Sequence, residues 1–210
     1  MKPDAATIRF LHGTELHEQQ RFRRFRLLGA IAAMAWALLV PASLVAQLPK
    51  PSEYQVKAAY IYNFGKFVKW PPTSVANQSS SFIICALGED SMSSVLQSTL
   101  SGKSIDGRPV TVKQISKPQD AIGCQILFLN IDEKSHLQGI LSALGRASVL
   151  TVSDIPDFSK RGGMIQFVLE DDRVRFEINR ASAESAGLTL TSDLLKVATV
   201  VRGTGQTGDQ

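Results

Sequence analysis

The chain has 210 residues, of which 44% are hydrophobic and 20% are charged. These values fit one globular domain and exclude a long repeat array, a collagen-like chain and a wholly disordered protein. The net charge of +4 is unevenly spread, because residues 1–26 hold six basic and three acidic side chains whereas residues 47–210 hold seventeen and sixteen. The main domain is therefore nearly neutral, and its charge does not support a nucleic-acid-binding function.

The N-terminal segment has the pattern of an export signal. Four arginines within residues 21–26 precede an uncharged, mostly apolar run at residues 27–46. A basic region followed by an apolar one is typical of a secretory signal peptide, with cleavage expected after Ala46. If it is not cleaved, the same run is long enough to anchor the chain in a membrane. Both alternatives place the domain at residues 50–202 outside the cytoplasm.

Two cysteines, Cys85 and Cys124, are available to an exported domain that can keep disulfides. Cys85 lies in the apolar run FIICALG and Cys124 opens the run CQILFLN, so neighbouring parallel strands would bring their Cα atoms within bonding range. The bond would close a loop of about 40 residues, worth on the order of 4 kcal/mol. The alternative is two buried thiols that never pair.

The first predicted element of the domain is an amphipathic helix at residues 51–70. Ser52 is the expected N-cap, and Pro71 with Pro72 ends the helix. One stripe of the helix is apolar, and the lysines lie largely off it. The stripe consists of Val56, Tyr60, Phe64 and Phe67, and the lysines are Lys57, Lys66 and Lys69.

Buried strands then alternate with helices along the chain. This alternation predicts parallel strands joined by right-handed crossovers. In chain order the elements are a strand at 82–87, a helix at 91–100, strands at 110–115 and 125–129, a helix at 133–144 capped by Asp132 and ended by Gly145, and a strand at 148–152.

The pattern changes in the C-terminal third, where two apolar runs flank a short polar turn and so predict a β-hairpin. We therefore expect an α/β fold: a single three-layer domain whose mixed sheet combines parallel strands with a C-terminal antiparallel hairpin. The hairpin strands are predicted at 164–169 and 174–178, followed by a short helix at 181–186, an extended piece at 188–190, a final helix at 193–201 and a flexible tail at 203–210.

The residue inventory gives little support to catalysis. Residues 47–210 contain one histidine, His136, on a predicted surface helix, so a hydrolase stays a minor alternative. Two cysteines and one histidine cannot supply the four ligands of a structural zinc site. The string Gly102-Lys103-Ser104 lacks the earlier glycine of a phosphate loop, since Gln97 occupies that position. No catalytic residue, metal or cofactor is predicted.

Small and polar residues near the hairpin are unusual for pure packing. Gly162 and Gly163 permit a positive φ or the close approach of another group. Alternation along RVRFEIN places Arg175, Glu177 and Asn179 on one face of the strand. One interpretation is an exposed strand face with an ion pair. The other is a polar patch that recognises a partner or a small anion through the donors of Arg175.

Residues 53–201 contain four characteristic strings: VKAAYIYNFGKFVKWP, CQILFL, LTVSD followed by GGMI, and RVRFEIN leading into LTLTSDLLKVA. Together these strings resemble the YfiR family of small exported proteins. The resemblance implies a periplasmic α/β protein, often dimeric, without catalytic activity. The best-understood members bind the periplasmic part of an inner-membrane diguanylate cyclase and hold it inactive, and others occur beside different membrane receptors and sensor kinases.

The cysteines match this family only in part. Cys85 and Cys124 correspond to one cysteine pair of such repressors, but the second pair, in the region around LTVSD, is missing here. Redox control of the family's kind is therefore not carried over to this chain.

The sequence thus predicts a non-enzymatic periplasmic regulator, forming a homodimer, that represses a membrane signalling protein such as a diguanylate cyclase. The alternative is a periplasmic small-ligand-binding protein in which Arg175 and Asn179 hold a carboxylate or phosphate, and which feeds a membrane sensor. Candidate partner- or ligand-binding residues lie on the first helix and in the loop and hairpin that follow the strand at 148–152. They are Tyr62, Lys66, Ser153, Asp154, Gly162, Gly163, Arg175 and Asn179.

Overall fold

The structure, a computed structural model, describes residues 50–88 and 91–203. The signal peptide or anchor predicted at residues 1–46 lies outside these ranges, as does the predicted tail beyond Gly203. No helix within the described ranges is long and apolar enough to cross a membrane.

The described residues alternate between helices and strands as predicted, with additional short strands. The helices are α1 (Glu53–Phe67), α2 (Ser91–Leu100), α3 (Leu137–Leu144), α4 (Arg180–Ser185) and α5 (Ser192–Val197). The strands are β1 (Val68–Lys69), β2 (Phe82–Leu87), β3 (Ser104–Ile105), β4 (Arg108–Ile115), β5 (Ile126–Leu129), β6 (Leu150–Ser153), β7 (Ile165–Glu170), β8 (Arg173–Asn179), β9 (Thr189–Leu190) and β10 (Val200–Arg202). Short 3₁₀ helices cover Val75–Gln78, Pro118–Gly123 and Ile131–Ser135.

The central sheet has the strand order β10-β8-β7-β6-β5-β2-β4-β3. Strands β4, β2, β5, β6 and β7 are parallel, and β8 returns antiparallel to β7 as a hairpin. A separate two-stranded sheet pairs β1 with β9. The mixed sheet with its C-terminal hairpin confirms the predicted α/β fold.

Two hydrophobic cores lie on the two faces of the sheet. Because side chains alternate along a strand, Ile84 of β2 enters one core and its neighbour Cys85 enters the other. The first core packs against α1, α2, α4 and α5, and the second packs against α3. Helices on both faces give the three layers expected from the sequence.

Helix α1 has the predicted N-cap but a rotated buried stripe. The hydroxyl of Ser52 accepts a hydrogen bond from the Gln55 N–H, and the Gln55 side chain accepts one from the Ser52 N–H, which forms a capping box. The predicted stripe was wrong at Phe67, which is 38% exposed, and at Lys57, which is only 5% exposed. The burial of Lys57 is explained by its acidic partners, which accompany the ammonium into the interior, as described below.

Three predicted boundaries need correction. The helix at 133–144 is instead the 3₁₀ segment Ile131–Ser135 followed by α3, so Asp132 does not cap it and the residue before the 3₁₀ segment is Asn130. The first helix ends at Phe67, because the next two residues pair with β9. The final helix ends at Val197, because Thr199 donates to the Phe176 carbonyl and the chain continues along β8 as β10.

The disulfide between Cys85 and Cys124 is present and confirms the predicted pairing. Cys85 lies within β2, and Cys124 lies two residues before the neighbouring parallel strand β5. Their Cα atoms are 6.0 Å apart. The parallel register therefore supplies the proximity that the bond requires.

The β7–β8 hairpin turns through two residues, Asp171 and Asp172, with φ of 49° and 56°. Positive φ at both central positions is the pattern of a type I′ turn, whose twist matches that of the strands. The turn is shorter than the four-residue separation predicted from the sequence, because Glu170 and Arg173 pair with each other as the last rung of the ladder.

Candidate partner-binding site

A cavity of ≈ 200 Å³ opens at the carboxyl end of β6. Strand β7 pairs with β6 only at Ile165 and Gln166, so the rest of the hairpin extends past the end of its neighbour. The first turns of α1 and the 3₁₀ segment after β5 form the other sides. The lining residues are Glu53, Lys57, Ile131, Asp154, Phe167, Val168, Leu169 and Val174.

Lys57 places a buried charge in this cavity. Its Nζ lies 2.7 Å from Oε1 of Glu53 and 2.7 Å from Oδ2 of Asp154. Nζ also lies 5.5 Å from the ring centroid of Tyr54 and 6.0 Å from that of Phe167. An isolated ammonium is costly to bury, so the two carboxylates are what allow this position to be occupied by lysine.

The pKa of Lys57 is raised above the ordinary lysine value. Burial on its own lowers the pKa, because it disfavours the charged form, but the hydrogen bonds and charges of Asp154 and Glu53 outweigh that effect. Lys57 is therefore held in its ammonium form at neutral pH, the form that pairs with both carboxylates. The cavity keeps two carboxylates against one cation.

Asp154 is positioned by the residue before it. The hydroxyl of Ser153 donates to the Leu129 carbonyl at 2.8 Å and accepts from the Ile155 N–H at 3.0 Å, which fixes the chain at the end of β6. Ser153 was a predicted binding residue, but it is buried and these contacts give it a structural part. The Oδ1 atom of Asp154 is also buried, and no residue in the described part of the chain donates to it.

Exposed apolar side chains accompany the ion pair. Leu169 is 58% exposed and Ile131 is 48% exposed, and both line the cavity. Tyr54, one turn ahead of Lys57 on α1, is 39% exposed. Large apolar side chains that are left in solvent beside a concave site are typical of a surface that binds another molecule.

The predicted glycines have packing roles in the loop between β6 and β7. Gly162 has a φ of +102°, which side chains rarely adopt. A Cβ on Gly163 would overlap the ring of Phe158, a fully buried side chain. Gly162 also lines a second cavity of ≈ 320 Å³ beside α3 and α4. A binding role for either glycine stays a prediction.

The side chains of the polar face predicted on β8 have different surroundings. Arg175 is exposed, lies opposite Val168, and makes no side-chain hydrogen bond or ion pair with any described residue. Glu177 instead accepts from Arg202 of β10 at 3.3 Å and from the Ser159 hydroxyl at 2.8 Å. The interpretation as an ion pair within this face therefore does not describe Arg175.

Asn179 uses both ends of its amide within the chain. Its Nδ2 donates to the Ser159 carbonyl at 2.7 Å, and its Oδ1 accepts from the Ser182 N–H at 3.0 Å as the N-cap of α4. The anion-binding role predicted for Arg175 together with Asn179 stays a prediction, and these contacts do not favour it.

Tyr62 and Lys66 form a separate surface on the second half of α1. The Tyr62 hydroxyl donates to the Ser104 carbonyl at 3.0 Å, and Nζ of Lys66 lies 4.2 Å from the centroid of the Tyr62 ring. Lys66 follows Lys57 by nine positions, a rise of roughly 13 Å along the helix. The predicted residues are therefore not all in one site: Tyr62 and Lys66 lie apart from the cavity at Lys57, and Gly162 and Asn179 both line the second cavity.

Sequence reasoning missed most of the cavity. Among the predicted residues only Asp154 lines it, and Lys57, Leu169 and Ile131 were not candidates. The i, i+4 spacing of Glu53 and Lys57 was a readable sign of an ion pair. Nothing local to the sequence indicated that this pair would be buried.

Metal and acid–base chemistry find little support in the described residues. They contain no group of three or more histidine, cysteine, aspartate or glutamate side chains able to hold a metal ion. The side chain of His136 is 75% exposed, with its Nδ1 3.7 Å from Oε2 of Glu133. This exposed ring has no buried partner to orient it as a catalytic base.

The solved structures that match this chain include the following two. A conserved domain protein from Vibrio cholerae O1 biovar El Tor has a TM-score of 0.51 and 13% identity, over 72% of this chain and 60% of that one. The ABC domain in complex with L-Trp from Streptococcus pneumonia has a TM-score of 0.49 and 14% identity, over 70% of this chain and 60% of that one. This chain thus spans about 60% of each matched structure, and at such identity the first likeness shows the fold alone.

Comparison with curated proteins gives no match. The YfiR/HmsC-like family model, in contrast, matches residues 54–199, which is more than half of the chain. The match runs from α1 through α5 and includes every residue that lines the cavity except Glu53. It confirms the resemblance seen in the sequence strings, and the chain belongs to the YfiR/HmsC-like family.

Proposed function

We propose that the protein is a non-enzymatic periplasmic regulator that docks on an inner-membrane signalling protein and represses it, the most specific candidate being a diguanylate cyclase that makes cyclic-di-GMP. The observation that carries this proposal is membership of the YfiR/HmsC-like family over residues 54–199. The apolar run at residues 27–46 supports export.

The geometry of the cavity supports binding rather than catalysis. Lys57 is held as an ammonium between two carboxylates, and Leu169 and Ile131 are exposed beside it. A charged and apolar surface of this kind recognises a partner by complementarity. Repression then follows if docking is tighter on the inactive receptor than on the active one. A shift from mostly active to mostly inactive receptor requires a preference of about 3–5 kcal/mol.

Deletion of the gene, with measurement of cyclic-di-GMP, tests this proposal. Loss of a repressor should raise the cyclic-di-GMP level, and the full-length chain supplied from a plasmid should restore it. A chain lacking residues 1–46 is the matched control, because it should stay in the cytoplasm and fail to restore the level. An unchanged level after deletion would overturn the cyclase assignment, and restoration by the leaderless chain would overturn periplasmic action.

The homodimer expected from the family resemblance is part of the same proposal. Sedimentation velocity on the purified protein decides it. If the processed chain sediments as a single species of monomer mass across micromolar concentrations, the homodimer is wrong. The proposed regulatory role does not depend on this result.

A further inference from the structure

We infer that the cavity between Lys57, Asp154 and Leu169 is the docking surface, and that the membrane partner inserts an apolar side chain there next to a lysine or arginine. This inference rests on the proposed function, since it names the chemistry of the partner that the regulator binds. It is carried by two features of the cavity: its apolar walls and its net charge.

The apolar walls fit a hydrophobic side chain. Phe167 and Val174 are buried at the back of the cavity, and Leu169 and Ile131 are exposed at its rim. A volume of ≈ 200 Å³ accommodates one apolar side chain. Docking would remove the exposed surface of Leu169 and Ile131 from water, which is the contribution that central apolar contacts make in protein interfaces.

The charge of the cavity selects a basic neighbour for that side chain. Glu53 and Asp154 together exceed the single charge of Lys57 by one. At the turn that follows the Leu169 strand, the exposed acidic side chains outnumber the exposed basic ones by one. The acidic residues are Glu170, Asp171 and Asp172, and the basic ones are Arg173 and Arg175. A lysine or arginine of the partner would supply the opposite charge.

A second copy of this chain is a poor occupant for the same reason. A two-fold contact through this surface would place equivalent patches against each other. The carboxylates of one copy would then face those of the other, and like charges across an interface are unfavourable. The surface is therefore assigned to a different protein and not to self-association.

Variants of one exposed residue can separate the apolar and the charge contributions. Leu169→Arg and Leu169→Glu remove the same apolar contact, but they add opposite charges. Val197→Arg is the matched control, because Val197 is 64% exposed on α5 and does not line the cavity. Equal urea midpoints for the three variants would verify that each remains folded.

Binding is measured on right-side-out inner-membrane vesicles from the deletion strain, with the full chain expressed and recovered as the cell processes it. Trypsin-treated vesicles and vesicles of extracted lipid show whether the binding needs protein. We expect saturable, trypsin-sensitive binding that Leu169→Arg weakens at least tenfold. Leu169→Glu should weaken it less, and Val197→Arg should stay within twofold of the parent.

The two proposals fail in different ways. Saturable protein-dependent binding that Leu169→Arg leaves unchanged would overturn this surface while the regulatory role stands. Equal weakening by Leu169→Arg and Leu169→Glu would overturn the basic partner. Absence of protein-dependent binding, or binding to lipid vesicles alone, would overturn the docking function itself and this inference with it.

Discussion

The ammonium nitrogen of Lys57 lies 2.7 Å from Oδ2 of Asp154, although 97 positions separate the two residues in the chain. The contact joins the first half of α1 to the residue that follows β6. Because the two residues are far apart in the chain, the ion pair can form only after α1 has packed against the sheet. A change at this ion pair should therefore affect both the stability of the domain and the cavity.

Replacing Asp154 by asparagine should lower the free energy of unfolding by about 2 kcal/mol, because the buried ammonium then keeps a single carboxylate. Equilibrium urea denaturation measures the loss. Asp193→Asn is the control, since its pair with Lys196 is 74% exposed on both sides, and it should change stability by less than about 0.5 kcal/mol. Equal losses in the two variants would contradict a special role for the buried pair.

The stability of the domain should fall in alkaline solution through Lys57. Its pKa is raised in the folded state, so the unfolded chain releases this proton first as the pH rises. The stabilisation is complete below the unfolded pKa of about 10.4 and is lost as the pH passes through the higher folded pKa. Unfolding free energies measured from pH 8 to pH 12 should decrease more steeply for the parent than for Lys57→Met. Parallel curves would show that the titration of Lys57 is not coupled to folding.

Reduction of the disulfide should lower the melting temperature. Cys85 and Cys124 are 39 positions apart, and a loop of that length corresponds to about 4 kcal/mol of stabilisation by restricted unfolded-state entropy. Melting curves with and without reductant should therefore differ for the parent. A Cys85→Ser variant should melt at one temperature under both conditions, and an unresponsive parent would show that the bond adds nothing.

Two glycine-to-alanine changes should have opposite signs. Gly163→Ala should destabilise the domain by about 1–3 kcal/mol, because its Cβ meets the buried ring of Phe158. Gly139→Ala should stabilise it by about 0.5–1 kcal/mol, since Gly139 lies within α3 with nothing within 4 Å of the added Cβ. Chemical denaturation of both variants measures these changes in the free energy of unfolding. A lower free energy of unfolding in both variants would mean that α3 does not tolerate a side chain at position 139.

Most of the sheet could be predicted from the sequence because each long strand shows a recognisable pattern in its own residues. Residues 82–87 and 126–129 are buried on both faces and so form unbroken apolar runs. The hairpin has alternating strands around a turn of two aspartates. By contrast, β1, β3, β9 and β10 have two or three residues each, and such strands are defined by the partner they meet and not by their own composition.

The candidate site was less predictable because burial of a charge depends on distant residues. Lys57 looks like a solvated lysine in its own helix, and only Asp154 explains its position inside. Leu169 has the alternation of an inward-facing strand residue, yet it is exposed because β7 extends beyond β6. The surface thus arises from the unequal lengths of neighbouring strands, which no local pattern encodes.

The small β1–β9 sheet makes the start of the domain depend on its end. Val68 pairs with Leu190, and the Thr191 N–H donates to the Phe67 carbonyl at the last turn of α1. A premature stop codon or a proteolytic cut before Thr189 would remove these contacts together with α5. Damage near the carboxyl terminus would then loosen the helix that begins the domain, so a truncated product should be cleared as a misfolded chain and not survive as a shortened but working protein.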